Sequence, residues 1–384
     1  MKNYIGYLSY ESIQNIPNQH VSTHEFIFFL HDQCASLLVQ YEQSQIDEIG
    51  IDKIVGAYSE KFPEHNADII EILQFCRDGG FDAPYYHFLI SKILMGLTSD
   101  LLHFTYEALR AFEKRKFAVA YSLLRKPFKE NLIFICLLLN DYEKFIELFE
   151  QETDKSLNNF YKHSSIRKTL FAEVIPKLAL PDLFDAELID KMIFSKQHPL
   201  SLEIPCQQAT HLITSQGDFL KTGRMFINSI FDDPNELDQY KPVYTSLPYI
   251  MTFTSHVILE SFQKLVNLNK NTYQHITLST LGCYENLFTD GRKRLLTKSY
   301  AKAFGEFLQC IHCGKNIFLS KENSLRMYMM GILICNHCHQ NSEFPFYWLL
   351  SKSTATFKKD ESENNVWKDT ILSRMFKSEK DENI

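Results

Sequence analysis

The sequence predicts a mainly α-helical protein, a multi-helix bundle that ends in a small cysteine-rich module. Glycine and proline are scarce, with 13 and 12 residues among 384, whereas phenylalanine and tyrosine are abundant, with 31 and 19. Few helix breakers and many large apolar side chains favour a well-packed helical protein over a loop-rich one. We expect an α-helical domain over residues 1–305, the cysteine-rich module over 306–350 and a tail over 351–384.

The N-terminal helices are predicted from capping residues and from apolar spacing. Ser22 or Thr23 can cap a helix that continues to about Gln45. Two shorter helices are expected at 46–62 and 66–77. The segment 84–114 has the most regular helical pattern of the chain. Its apolar residues recur at three- and four-residue steps along one face: Ile90, Ile93, Leu97, Leu101, Phe104, Ala108 and Ala111.

The segment 116–139 is expected at the centre of the bundle, because its second half is apolar on nearly all sides. Pro127 lies inside this segment and should kink or interrupt the helix. Several shorter helices are expected over 141–197. A loop-rich stretch over 198–245 is a candidate boundary within the domain.

The last long helix of the domain is expected to open at Ser246 and Pro248 and to end near Leu268. The helical pattern then continues to about Gly305. The segment after this glycine contains the cysteine-rich module.

Four cysteines near the C-terminus carry the clearest chemical signal. They form two Cys-x-x-Cys pairs separated by 21 residues, close to the spacing of a structural zinc site: Cys310, Cys313, Cys335 and Cys338. Each pair places two thiolates on one tight turn, and two facing turns complete a tetrahedron around Zn²⁺. Gly314 follows the first pair, where such turns often need a positive φ. A site closed by four sulfurs has no open position, so we expect it to fold the module rather than to catalyse a reaction.

Short strands are predicted at 317–319 and 327–334, which lead out of the first cysteine turn and into the second. Residues 308–342 resemble the zinc ribbons, a family of small modules with paired Cys-x-x-Cys turns on β-hairpins. The resemblance implies a structural Zn²⁺ and does not indicate a function for the whole chain. The alternative ligands are nearby histidines, and one of them in place of a cysteine would leave the site closed: His312, His337 and His339.

Cysteine usage and hydropathy predict a cytoplasmic protein. The other five cysteines are scattered singly, and unpaired thiols beside a thiolate metal site favour a reducing compartment. The N-terminal residues lack the apolar stretch of a secretory signal. The longest uninterrupted apolar run, 132–139, is too short to span a bilayer, so no membrane partner is expected.

The charge distribution gives two interpretations of a basic stretch before the first cysteine turn. The net charge of −7 provides no overall attraction to nucleic acid. Residues 291–342, however, contain eight Lys or Arg and only two Glu. The predicted partner-binding residues precede the first cysteine turn: Arg292, Lys293, Arg294, Lys298 and Lys302. They could track the phosphates of a nucleic acid. The last three, spaced by four residues, equally fit a solvated helix face.

Arg125 lies on the predicted central helix, on the face that carries Tyr121, Phe128 and Leu132. A partly buried guanidinium needs an anionic partner, so we expect a structural pair with a carboxylate. The alternative is a catalytic role for Arg125 together with Glu130.

The segment 121–130 resembles bacterial helical proteins of unknown function, some of which are similar to the HEPN-type ribonucleases of abortive-infection systems. The resemblance implies a role in phage defence or a toxin-like stress response. The ribonuclease motif of that class is an Arg and a His on one helix, separated by four to six residues. This chain departs from the motif, because no arginine has a histidine at that distance and Arg77 lies too far from His87. The departure puts ribonuclease activity in doubt.

His211 is the remaining candidate for chemistry. Polar residues around it, including Thr210 and Thr214, could line a pocket, and a purely structural histidine is the alternative. Phosphate-binding glycine loops and the GxSxG nucleophile motif do not occur in the sequence. Kinase, ATPase, Rossmann dehydrogenase and α/β-hydrolase chemistry are therefore disfavoured.

The sequence favours an intracellular recognition or scaffold protein that binds a protein partner, a second copy of itself or a nucleic acid. One alternative is a metal-independent nuclease with a pocket near Arg125 and His211. The other is a DNA-binding regulator that uses the zinc ribbon directly. In the tail, Trp367, Ile371 and Met375 share one helix face and predict either a short docking helix or a frayed end.

Overall fold

The structure, a computed structural model, confirms the predicted fold class. It describes residues 4–44, 52, 55–56, 58–61, 68–78, 82–150, 162–214, 221–223, 227–228, 239–289, 294–344, 346 and 349–350. Helices dominate these residues, and a two-stranded antiparallel sheet lies near the C-terminus, where the four cysteines cluster.

The named elements are numbered in chain order. The α-helices are α1 Tyr10–Ile13, α2 Val21–Gln43, α3 Ile69–Asp78, α4 Asp82–Glu113, α5 Phe117–Lys126, α6 Leu132–Asn140, α7 Tyr142–Glu150, α8 Ser164–Val174, α9 Ala186–Phe194, α10 Glu203–Thr210, α11 Lys241–Val266, α12 Lys270–Phe288, α13 Leu295–Phe304 and α14 Lys321–Met330. The strands are β1 Ile332–Ile334 and β2 Asn341–Glu343. Short 3₁₀ turns occupy Ile175–Lys177, Pro181–Leu183 and Gly305–Phe307.

Helix α11 is the most deeply buried long helix of the described part of the chain. All its residues from Ser246 to Phe262 are buried, and it packs against α2, α6 and α9. The predicted start at Ser246 is wrong, because the helix begins at Lys241. Pro242 occupies the first turn, where its missing N–H has no intrahelical partner to lose. Pro248 lies inside the helix, where it removes one backbone hydrogen bond without ending the helix.

Pro127 interrupts the central segment, as predicted. Helix α5 ends at Lys126, and a π-helical turn over Pro127–Asn131 joins it to α6. The Asn131 side chain fixes this wider turn, because its Nδ2 donates to the Leu97 carbonyl (3.0 Å) and to an Asp100 carboxylate oxygen (2.7 Å) on α4. Seven of the nine residues of α6 are buried, which confirms its predicted central position.

The N-terminal segment is held by a buried carboxylate. Glu25 on α2 is fully buried and accepts hydrogen bonds from the backbone N–H groups of Ile5 (2.8 Å), Gly6 (2.9 Å) and Tyr7 (2.9 Å). Gly6 has φ of +99°, which turns these N–H groups toward one point. Burial raises the pKa of Glu25, and the N–H donors oppose that rise.

The predicted strands around the cysteine turns are partly wrong. Residues 327–330 belong to α14, and only 332–334 form a strand. The helix is specified by its ends: the Ser320 hydroxyl caps the Asn323 N–H, and Gly331 ends the helix with φ of +69°. Residues 317–319 form no named strand, although an isolated antiparallel bridge joins Gln309 to Asn316. The loop-rich prediction for 198–245 also missed helix α10.

The cysteine-rich module and the helical body share one hydrophobic core. Buried module residues, among them Leu308, Ile317, Leu325 and Leu333, belong to the same cluster as the buried residues of α11 and α12. The division at 305/306 stays a prediction. The predicted tail stripe lies outside the described residues. None of the helices that the structure describes is long and apolar enough to cross a membrane.

Candidate metal centre

Two cysteine turns bring four sulfur atoms together at the C-terminal end of the described chain. The Sγ atoms of Cys310, Cys313, Cys335 and Cys338 all lie within 4.8 Å of one another. Cys310 Sγ lies 3.5 Å from Cys338 Sγ, and Cys313 Sγ lies 3.6 Å from Cys335 Sγ. A disulfide would require about 2.05 Å. A tetrahedral metal with metal–sulfur bonds of about 2.3 Å separates its ligands by roughly 3.8 Å, which these sulfurs fit.

The two turns have the same backbone geometry. In the first, the Cys310 carbonyl accepts from the Gly314 N–H at 2.8 Å, and the Cys310 N–H donates to the Lys315 carbonyl at 2.9 Å. In the second, the Cys335 carbonyl accepts from the His339 N–H at 3.0 Å, and the Cys335 N–H donates to the Gln340 carbonyl at 3.0 Å.

Both turns contain a left-handed residue directly after their second cysteine. Gly314 has φ of +66° and His339 has φ of +58°. The conformation is free of strain for glycine and costs a side-chain-bearing residue about 1–2 kcal/mol. The positive φ predicted for Gly314 is therefore confirmed, and the equivalent position of the second turn is occupied by His339. His339 is thus a conformational residue of the turn.

Each turn sits at the end of paired backbone segments. The Gln309–Asn316 bridge supports the first turn, and β1 pairs with β2 to support the second. The pairs in that sheet are Ile332 with Glu343, Leu333 with Ser342 and Ile334 with Asn341. The first turn also contacts β2, because His312 Nε2 lies 3.1 Å from the Asn341 carbonyl oxygen.

Backbone N–H groups favour ionised thiols at the first cysteine of each turn. Burial alone would raise the pKa of the Cys310 thiol, but the N–H groups of Cys313 and His312 lower it to about 6. The N–H groups of Cys338 and His337 lower the pKa of Cys335 in the same way. Thiolates are the form that binds a metal. The four sulfurs occupy every position of a tetrahedron, so the arrangement suits a structural metal and leaves no site for a substrate.

Asn323 of α14 connects the helix to the second turn. It is 2% exposed. Its Oδ1 accepts from the Ile334 N–H at 3.0 Å, and its Nδ2 donates to the carbonyls of Ile334 (3.0 Å) and Phe318 (3.1 Å). The residue therefore fixes the strand that immediately precedes Cys335. The sequence prediction missed this role because it placed no helix at Lys321–Met330 and predicted a strand at 327–334.

Helix α14 also docks the module onto the helical body. The Tyr328 ring packs against Gly282 of α12, and its hydroxyl lies 3.2 Å from Thr297 Oγ1. On the opposite side, Arg326 donates to the carbonyls of Ile5 (2.9 Å, from Nε) and Tyr4 (3.1 Å, from Nη2). The cysteine-rich module is thus held by its own chain, at α12 and at the N-terminal segment.

The predicted basic stretch is only partly described. Arg292 and Lys293 lie outside the described residues. Arg294 Nη1 donates to Asn286 Oδ1 at 2.9 Å, so this guanidinium forms a hydrogen bond within the chain. Lys298 and Lys302 are exposed on α13.

The structure does not bring the three weaker candidates into one site. Arg125 is half-buried beside Cys206, and its Nε has no hydrogen-bond partner among the described residues, so the expected carboxylate pair is not seen there. Glu130 is half-buried in the π-helical turn. His211 is exposed at the end of α10, where its carbonyl accepts from Asn228 Nδ2 at 2.7 Å.

The first cysteine turn presents an apolar surface that the sequence prediction did not identify. Three side chains are among the most exposed large apolar residues of the described chain: Phe307 at 70%, Ile311 at 73% and Phe318 at 65%. Phe307 and Phe318 directly flank the buried Leu308 and Ile317, and Ile311 lies between Cys310 and Cys313 in the turn itself.

Comparisons with known proteins add no family or fold relationship. No protein family, no curated protein and no solved structure matches the chain. The resemblance to HEPN-type proteins therefore stays a prediction from the sequence.

Proposed function

We propose that this chain is an intracellular recognition or scaffold protein, in which a structural Zn²⁺ ion fixes an apolar surface for a protein partner. The observation that carries the proposal is the exposure of Phe307, Ile311 and Phe318 around the first cysteine turn. We refer to these three side chains as the knuckle surface. Zinc is the metal of choice because four thiolates in a tetrahedral arrangement suit it and because it has no redox chemistry of its own.

The knuckle surface is supported on a rigid base. The Ile317 N–H donates to the Leu308 carbonyl at 2.7 Å, which ties together the two segments that carry Phe307 and Phe318. Leu308 and Ile317 point inward and are 3% exposed. A metal bound by the turn between these segments would remove the remaining freedom of Ile311. A surface that is already ordered loses little entropy on association.

Contact with a partner protein explains these exposed apolar side chains better than permanent exposure to water. Burying a large apolar side chain is worth about 1.5–3 kcal/mol, and a few such residues carry most of the affinity of an interface. The exposed charged residues close to the knuckle surface in sequence are of both signs, with Lys302 and Lys315 beside Glu306, so the apolar side chains and not the charge define the expected partner. Arg294 is engaged inside the chain, which reduces the basic surface available to a nucleic acid.

A purified, zinc-loaded chain is the reagent for the test. The variant F307S/I311S/F318S removes the knuckle surface, and L212S/I213S removes two side chains that are as exposed, at 70% and 69%, on another part of the body. Proteins from the cell of origin are captured on each chain and quantified, and self-association is followed by sedimentation. We expect the triple variant to lose a partner, or self-association, that the double variant retains.

The other functions give different results in the same experiment. Equal capture by the two variants would contradict the proposal. Duplex DNA binding that weakens steeply with salt and disappears in K298E/K302E would favour the DNA-binding regulator. Nucleic acid cleavage that R125A or H211A abolishes, with folding intact, would favour the nuclease. The phage-defence setting stays a prediction from the sequence resemblance, and infection of cells that lack this chain would test it.

A further inference from the structure

The helical body contains a cavity far along the chain from the cysteines. It has a volume of about 370 Å³, within the range of small-molecule sites. Helices α4, α6, α7 and α11 contribute its walls. The lining is mostly aliphatic and aromatic, with Ile90, Leu94, Leu138, Leu139, Leu265, Tyr86 and Tyr142 among its members.

The apolar wall of the cavity is built from packed elements. Leu94, Leu138 and Leu139 are 1%, 5% and 2% exposed. The rings of Tyr86 and Tyr142 meet edge to face at 5.8 Å between centroids and tie α4 to α7. A cavity with such walls favours a ligand with an apolar body.

The polar lining residues include His87, Ser261 and Lys264, and Lys264 supplies the positive charge. Lys264 Nζ donates to the Leu139 carbonyl at 2.8 Å, which leaves two of its three N–H groups for another acceptor. A second ammonium group lies at the same helix end, where Lys177 Nζ donates to the Asn140 carbonyl at 2.8 Å. Burial, together with the charge of Lys177, lowers the pKa of Lys264. A bound anion would favour the charged form of this side chain.

The acidic neighbours of Lys264 have other partners. Glu260 accepts a short hydrogen bond from the Tyr273 hydroxyl, and Asp141 Oδ1 accepts from the Lys144 N–H at 3.0 Å. Lys264 is in no ion pair with any residue that the structure describes. Lys264 is exposed at the edge of the cavity, and Glu260 and Asp141 act on it only through space, so its ammonium group can still donate to a ligand that lies in the cavity.

We infer that the cavity binds a small apolar carboxylic acid, with the aliphatic or aromatic body among the leucines and the carboxylate on Lys264. A charge-assisted hydrogen bond from an ammonium to a carboxylate is stronger than one to a neutral hydroxyl. The site therefore selects the acid over the alcohol of equal chain length. This inference does not depend on the knuckle surface or on the metal.

Octanoate and octanol are the probes, and isothermal titration calorimetry of the full chain is the measurement. We expect octanoate to bind at least tenfold more tightly than octanol. K264M should weaken octanoate at least tenfold and leave octanol within about twofold. K168M is the matched control, because Lys168 is a half-buried lysine paired with Glu187 and is not among the lining residues, and it should change neither affinity.

A blocking variant tests the location independently of charge. I90W enlarges a half-buried side chain on the wall, and it should abolish the binding of both probes with the unfolding midpoint preserved. Failure of both probes to bind at millimolar concentration would overturn the inference. Equal affinity for the two probes, or unchanged octanoate binding in K264M or in a folded I90W, would overturn it as well.

Discussion

Gly282 offers a sharp test of how the metal-binding segment is docked. It lies inside helix α12 at the point where the Tyr328 ring of α14 crosses. A Cβ added at Gly282 would lie 2.5 Å from both Cε1 and Cε2 of that ring. Tyr328 cannot easily move away, because it is 2% exposed and its hydroxyl is near Thr297. Gly282→Ala should therefore force the two helices apart.

The magnitude follows from two opposing effects. Replacing a glycine by alanine within a helix gains about 1 kcal/mol of helix propensity. Overpacking a well-filled interface costs about 1–3 kcal/mol and more when a whole ring must shift. We expect a net loss of about 2 kcal/mol in the free energy of unfolding for Gly282→Ala. Gly96→Ala is the matched control in helix α4, where no heavy atom lies within 4 Å of an added Cβ, and it should gain about 1 kcal/mol.

Urea unfolding of the zinc-loaded chain measures both variants. The two should differ by about 3 kcal/mol, with opposite signs. Truncation of the ring should relieve the clash, so Gly282→Ala should cost less in a Tyr328→Leu background than in the parent chain. Stabilisation by Gly282→Ala equal to that by Gly96→Ala would refute the docking of α14 on α12.

Four further substitutions probe the module and its support. Gly314→Ala should destabilise the zinc-loaded chain by about 1 kcal/mol, as measured by thermal unfolding. His339→Gly should leave the stability unchanged or raise it by up to about 1 kcal/mol, because glycine adopts a positive φ without strain. Equal effects of the two substitutions would contradict the equivalence of the two turns. Asn323→Ala should cost about 1–3 kcal/mol in urea unfolding, because it leaves the buried Ile334 N–H without its acceptor. Burial raises the pKa of Glu285 to about 8, although the N–H groups of Leu296 and Thr297 act to lower it. Between pH 4.5 and 8 the folded chain therefore keeps a proton on Glu285 that the unfolded chain releases. Stability should then fall as the pH rises from 4.5 to 8, and Glu285→Gln should flatten that slope in unfolding curves at pH 5, 6.5 and 8.

The long helices could be predicted because each is decided by local pattern. The predicted segment 84–114 corresponds to Asp82–Glu113, and the interruption at Pro127 follows from its missing N–H and its ring. The cysteine cluster was predictable for a similar reason, since two short turns and their spacing determine where the sulfurs can meet. These features need little information from the rest of the chain.

The parts that were mispredicted depend on contacts between distant segments. An apolar run such as Met327–Ile334 fits a buried strand or a buried helix equally well by composition. The choice is made by Ser320, Gly331 and the packing of Tyr328 on α12. The role of Asn323 and the docking of Arg326 on the N-terminal segment likewise require the folded chain, because the partners lie far apart in sequence.

The metal content of the native chain tests the central claim most directly. Mass-spectrometric metal analysis of the purified, gel-filtered protein should give one Zn²⁺ per chain. Cys335→Ser should lose that ion and expose residues 306–344 to limited proteolysis, because a four-thiolate ion holds both turns in place. A native chain without metal whose two cysteine turns resist proteolysis as well as the loaded form would contradict the account.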